Sequence, residues 1–124
     1  MKERRKSERK PLAAYTKVYD LYGGEALGYL GDLTALGAMV ISEKPMQKDM
    51  ELTLAIELPE LPNTKATRMT LPARVVWSEP DISPEFFNVG FEFKEVKPEQ
   101  QTIIEAIIEH YEFRRDAPPT FPLR

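Results

Sequence analysis

Glu51-Leu52-Thr53-Leu54-Ala55-Ile56-Glu57-Leu58 repeats with a period of two. Leu52, Leu54, Ile56 and Leu58 fall on one side of an extended chain, and Glu51, Thr53, Ala55 and Glu57 on the other. That period belongs to a strand with one covered face, because a helix would scatter those four residues around its circumference. The strand reading extends outward in both directions. Upstream, Gly37–Ser42 (GAMVIS) is apolar enough for a central strand. Before it, residues 13–22 (AAYTKVYDLY) and Ala26–Leu33 flank Gly23, Gly24 and Glu25 as the two arms of a hairpin, since glycine supplies the positive φ of a tight turn. Downstream, residues 60–66 (ELPNTKA) form a turn segment, and residues 67–78 (TRMTLPARVVWS) form a long strand. Pro72 inside that strand donates nothing to a ladder, which predicts an edge position or a bulge there. Residues 86–94 (FFNVGFEFK) place Phe87, Val89, Phe91 and Phe93 on one face.

The period changes at Pro98. Proline suits the first helical turn and Glu99 its positive end. Ile103, Ile104, Ile107, Ile108 and Tyr111 then recur at helical spacing as one apolar stripe. Arg114 and Arg115 stand near the C-terminal end, and Ala117-Pro118-Pro119 stops the helix. Six strands followed by one amphipathic helix predict an all-β fold: a small six-stranded antiparallel barrel with a terminal α-helix on its surface or mouth. No βαβ alternation points to a doubly wound nucleotide fold.

Length and charge narrow the function. A chain of 124 residues predicts one domain. It is organised as an arm over 1–10, a barrel over 11–97, a helix over 98–115 and a loose tail over 116–124. There are no cysteines, so disulfides and thiolate chemistry are excluded and a cytoplasmic location is compatible. No apolar run approaches the ~18–20 residues of a membrane span, and the charged N-terminus lacks a signal-peptide apolar core. The net charge of −3 divides unevenly: residues 1–10 carry +4 and the rest −7. A basic arm on an acidic body points to an anionic partner at one end. The acidic body opposes nucleic-acid binding, which needs an extended positive surface.

Enzyme constellations are missing. The single histidine, His110, borders the apolar stripe near the helix end. No nucleophile elbow, phosphate-cradling GxxxxGK[ST] loop, GxGxxG fingerprint or metal-ligand spacing occurs, so a non-enzyme without metal or cofactor is expected. Two stretches carry recognition chemistry instead. Arg5 and Arg9 stand four apart, with Arg4 beside the first. Guanidinium groups match phosphate oxygens and the O6/N7 edge of guanine bidentately. Asp32-Leu33-Thr34-Ala35-Leu36-Gly37 lies between the second and third strands. A carboxylate accepts from the guanine N1–H and N2–H₂ donors that arginine does not serve, and Thr34 adds a hydroxyl. Gly37 removes a side chain where the backbone approaches or turns. The same six residues also describe an ordinary side-chain-capped turn opening a strand.

Together these motifs resemble the PilZ domain family. The RxxxR arm (Arg5, Arg9), the DxTxxG stretch (Asp32 to Gly37), then GAMVIS, ARVVWS, NVGFEF and the terminal helix follow the family's order over roughly residues 4–113. The resemblance implies a bacterial, cytoplasmic receptor for the second messenger cyclic di-GMP, with Arg5, Arg9, Asp32, Thr34 and Gly37 at the ligand and Arg4 and Lys10 as auxiliary cations. It implies a regulatory adaptor that orders its arm over the ligand and signals to an unidentified effector protein. Candidate docking groups are Tyr111, Phe113, Arg114, Arg115 and the proline-rich tail. Threonine replaces the family's serine at position 34; its hydroxyl survives, and its methyl predicts at worst a reduced affinity. Trp77 on the ARVVWS strand is a candidate to flank the site, but the motif does not specify it, and core or surface packing is the preferred assignment. The alternative is an adaptor of the same fold that binds no nucleotide.

Overall fold

The computed structural model describes residues 16–62 and 64–113. Six strands follow in order: β1 Lys17–Asp20, β2 Ala26–Leu33, β3 Gly37–Ser42, β4 Glu51–Glu57, β5 Arg68–Pro80 and β6 Phe87–Phe93, then one helix, α1 Pro98–His110. Every pairing is antiparallel. The strand order β1-β2-β3-β6-β5-β4 closes on itself, because β4 returns to pair with β1 through Val18 opposite Ile56. Closure leaves no unpaired edge.

The alternation read in β4 is real on one side, with Leu54 and Ile56 fully buried, although Ala55 on the other face is buried as well. Val18, Val40, Leu54, Ile56, Leu71, Val89 and Phe91 have no exposed surface and belong to one core cluster. Burying side chains of this size contributes about 1.5–3 kcal/mol each before entropy is counted. Residues Phe87, Val89, Phe91 and Phe93 of β6 do share the inward face, pairing with Ser42, Val40 and Ala38 of β3 and Ala73 of β5.

Pro72 is not at an edge, and the bulge of β5 lies between Val75 and Trp77. An antiparallel residue aims its N and its C=O at the same neighbour. The Pro72 carbonyl accepts the Lys94 N–H at 2.8 Å, one residue beyond the end of β6. The missing proline N–H therefore faces the place where β6 stops and needs no acceptor. The first strand is also shorter than its composition predicts. Leu21 and Tyr22 join the turn, where the Gly24 N–H donates to the Asp20 carbonyl at 2.8 Å and Gly24 takes φ +72°.

Gln100 attaches α1 at both ends of its amide. Its Oε1 accepts the Lys97 N–H at 3.0 Å, capping the helix, and its Nε2 donates to the Thr70 carbonyl of β5 at 2.6 Å. Ile104 and Ile107 enter the barrel core. Ile108 does not: it is 40% exposed, so the buried stripe is narrower than its spacing predicts. The helix ends at His110, which is exposed, rather than running on to 115. Tyr111 adopts an extended conformation, its hydroxyl donates to the Glu60 carbonyl at 2.6 Å, and Phe113 drops into the core at 4% exposure. Phe113 is thus a core residue and not a docking group. Arg114, Arg115 and the proline-rich tail lie outside the described residues.

Candidate functional site

Leu30 and Leu33 are both buried, at 2% and 3% exposure, yet they stand three apart on one strand. Strict alternation would send Asp32 inward with Leu30. A bulge between Leu30 and Asp32 resolves the conflict: Leu30 opposes Val40, Asp32 opposes Met39, and Leu33 opposes Ala38. The extra residue turns the Asp32 carboxylate to the outside of the barrel. There its Oδ1 accepts the Leu33 N–H at 2.8 Å.

β5 uses the same device. Val75 faces inward opposite Phe91, and Ser78 opposes Val89, with the bulge between them sending Trp77 outward opposite Gly90. Met39 in turn opposes Gly90. One row therefore crosses four strands on the outer face: Asp32, Met39, Gly90, Trp77. At ~4.8 Å per strand the backbone positions of Asp32 and Trp77 are ~14 Å apart. Gly90 leaves room for the indole to lie across the row. A Cβ at Gly90 would stand 2.2 Å from Trp77 Nε1.

The next row begins at Gly37, which opposes Glu92; Glu92 opposes Arg74, and Arg74 opposes Glu51. Arg74 bonds Glu92 at 2.6 Å and Asp49 at 2.5 Å, and Lys94 reaches Glu51 at 2.5 Å. The hydrogen bond to Glu92 and the neighbouring carboxylates raise the already high pKa of Arg74, so this guanidinium keeps its charge at every working pH.

Between the rows, residues 34–36 turn β2 into β3. Thr34 Oγ1 accepts the Leu36 N–H at 3.1 Å and the Gly37 N–H at 3.2 Å. The side-chain-capped turn that these residues describe is therefore present, with Asp32 at its foot. Gly37 is buried and does not use a positive φ.

The structure thus brings Asp32, Thr34 and Gly37 together. Arg5, Arg9, Arg4 and Lys10 lie outside the described residues. The first described residue, Thr16, accepts the Leu30 N–H at 2.8 Å through its carbonyl. Because β1 runs antiparallel to β2 with Lys17 opposite Tyr29, the chain enters β1 from the Asp32 side. The motifs do not specify Trp77, and nothing in the residue spacing marks Met39 or Gly90. The usable signal was the three-residue spacing of Leu30 and Leu33, which betrays a bulge.

A cleft of about 580 Å³ lies at the opposite end of the β2–β3 hairpin, walled by Leu27, Tyr29, Ile41, Met46, Met50 and Phe86, and among the described residues Asp32, Thr34 and Gly37 take no part in its wall. Among the described residues, no cluster of three or more His, Asp or Glu side chains is arranged to hold a metal, and no helix is long and apolar enough to cross a membrane.

The described residues thus form a closed six-stranded antiparallel barrel with a terminal helix and a capped turn between β2 and β3. The chain belongs to the PilZ domain family, whose model matches residues 3–110. That match places it within a family of cyclic di-GMP receptors and adaptors. No curated protein and no solved structure gives a significant match.

Proposed function

We propose that this chain binds cyclic di-GMP on the outer face of β2, β3, β6 and β5 and passes the binding state to a separate effector protein. The observation that carries the reading is the outward Asp32 carboxylate, turned from the core by its bulge and set in one row with the Trp77 indole. Asp32 offers acceptors to the N1–H and N2–H₂ of a guanine, and the indole offers an aromatic face at the other end of the row.

Arg5 and Arg9 complete the chemistry. Arg9 precedes Thr16 by seven residues, so its backbone reaches up to ~25 Å from that point, enough to cover the whole row. Guanidinium groups there pair with the two phosphates and with the O6/N7 edge of guanine. Arg4 and Lys10 add positive charge close by. Charge-assisted bonds from these cations to a dianion tie residues 1–10 to the ligand, and that changes the surface offered to an effector.

Calorimetric titration of the purified chain with cyclic di-GMP tests the reading. Saturable binding with a Kd in the micromolar range or tighter is expected, about −8 kcal/mol or better. A folded protein that gives no heat at tens of micromolar overturns it and leaves the nucleotide-free adaptor.

A further inference from the structure

Among the described motif residues, Thr34 is the one whose side chain is most fully used within the protein. Its hydroxyl accepts from the Leu36 N–H at 3.1 Å and the Gly37 N–H at 3.2 Å, and donates to the Gly37 carbonyl at 3.4 Å. A hydroxyl has one proton and two lone pairs, so these three contacts spend its whole capacity. The surrounding backbone is equally committed. The Thr34 N–H donates to the Gly37 carbonyl at 2.9 Å, and the Leu36 carbonyl accepts the Phe93 N–H at 2.9 Å. The Leu33 N–H goes to Asp32 Oδ1. From Leu33 to Gly37, one amide differs: Ala35, which is exposed and whose N–H meets no acceptor among the described residues.

We propose that Thr34 is a positioning residue that makes no bond to the ligand. Its hydroxyl holds the turn, and the turn meets the ligand through the Asp32 carboxylate and the Ala35 N–H. The proposal rests on the cyclic di-GMP reading above and departs from the ligand contact that the family resemblance implies for Thr34. Asp32 takes guanine donors; the Ala35 amide takes an acceptor oxygen or nitrogen of the same nucleotide. Threonine then serves as well as serine, because the group that matters faces the backbone of its own turn.

The test is a set of three variants titrated with cyclic di-GMP, alongside amide hydrogen exchange and ¹H–¹⁵N spectra. Thr34→Ser keeps the hydroxyl. Thr34→Asn replaces it with a side-chain carbonyl that accepts the same two amides as an Asx turn. Thr34→Val keeps the shape and accepts nothing. Ser and Asn are expected to bind within about threefold of the parent, and Val about tenfold or more weaker, with faster exchange at Leu36 and Gly37 in the free protein. In the parent, the Ala35 amide is expected to shift downfield and gain protection on binding. The proposal is overturned if Asn binds as weakly as Val while its Leu36 and Gly37 amides stay protected, for then the hydroxyl touches the ligand. It is also overturned if Val binds like the parent, or if the Ala35 amide is unmoved at saturation. A parent chain that does not bind at all defeats the cyclic di-GMP reading itself, a result visible before any variant is compared.

Discussion

The Trp77 indole lies so close over Gly90 that a Cβ at position 90 would meet Nε1 at 2.2 Å and Cε2 at 2.3 Å. Gly90 is held between β3 and β5, opposite Met39 and Trp77, so its backbone has nowhere to retreat. Gly90→Ala is expected to expel the indole from its seat at a cost of ~2 kcal/mol. Trp77 is the chain's single tryptophan, so its emission reports the displacement directly. A red shift together with a lower denaturant midpoint is expected. Unchanged emission would contradict the contact.

Two glycines of β2 separate backbone from side-chain crowding. Gly28 has φ +157°, and a Cβ there would stand 2.0 Å from the Ile41 carbonyl oxygen. Neither strand can yield without breaking the ladder, so Gly28→Ala is expected to cost ~3 kcal/mol or more. A Cβ at Gly31 instead meets the terminal methyl of Met39 at 2.7 Å and the Ile41 side chain at 3.1 Å. Methionine repacks readily, so Gly31→Ala is expected to cost ~1 kcal/mol. Urea denaturation of the two variants checks the order, and equal losses would refute it.

The helix offers a graded series. Ile104 and Ile107 are fully buried in the barrel core, whereas Ile108 is largely outside it. Ile104→Ala and Ile107→Ala are each expected to cost ~3 kcal/mol, and Ile108→Ala ~0.5 kcal/mol or less. Gln100→Ala loses both the cap on Lys97 and the bond to Thr70, for ~1 kcal/mol or somewhat more. Thermal melts of the four variants test this ranking.

Replacing the arm arginines is expected to change binding and not folding. Arg5→Ala and Arg9→Ala should each weaken cyclic di-GMP binding about tenfold, with less loss of affinity as salt rises than the parent shows. Melting of the ligand-free variants is expected to match the parent. Parent-like affinity in both would remove the arm from the site.

Much of this protein is legible in its residues. The period of two in β4, the turn glycines after β1 and the change of period at Pro98 specify strands, hairpins and a final helix, because local hydrophobic spacing sets which backbone can bury its apolar side. The RxxxR and DxTxxG spacings are equally local, so the family resemblance needed no coordinates. What spacing cannot express is how a strand departs from its own period. The bulge at Gly31 lets Leu30 and Leu33 both enter the barrel interior, the shift at Val76 keeps Val75 inside while Trp77 turns outward, and that interior forms only when six strands close. That closure sends Asp32 and Trp77 to one outer row and sets the missing Pro72 N–H where β6 has already ended. It also draws Phe113 into the core, ending the helix at His110. Local spacing is enough for the strands, the hairpin turn and the start of the helix; tertiary packing decided which face carries Asp32 and Trp77, since a side chain's direction in a bulged strand follows from what its neighbours must bury.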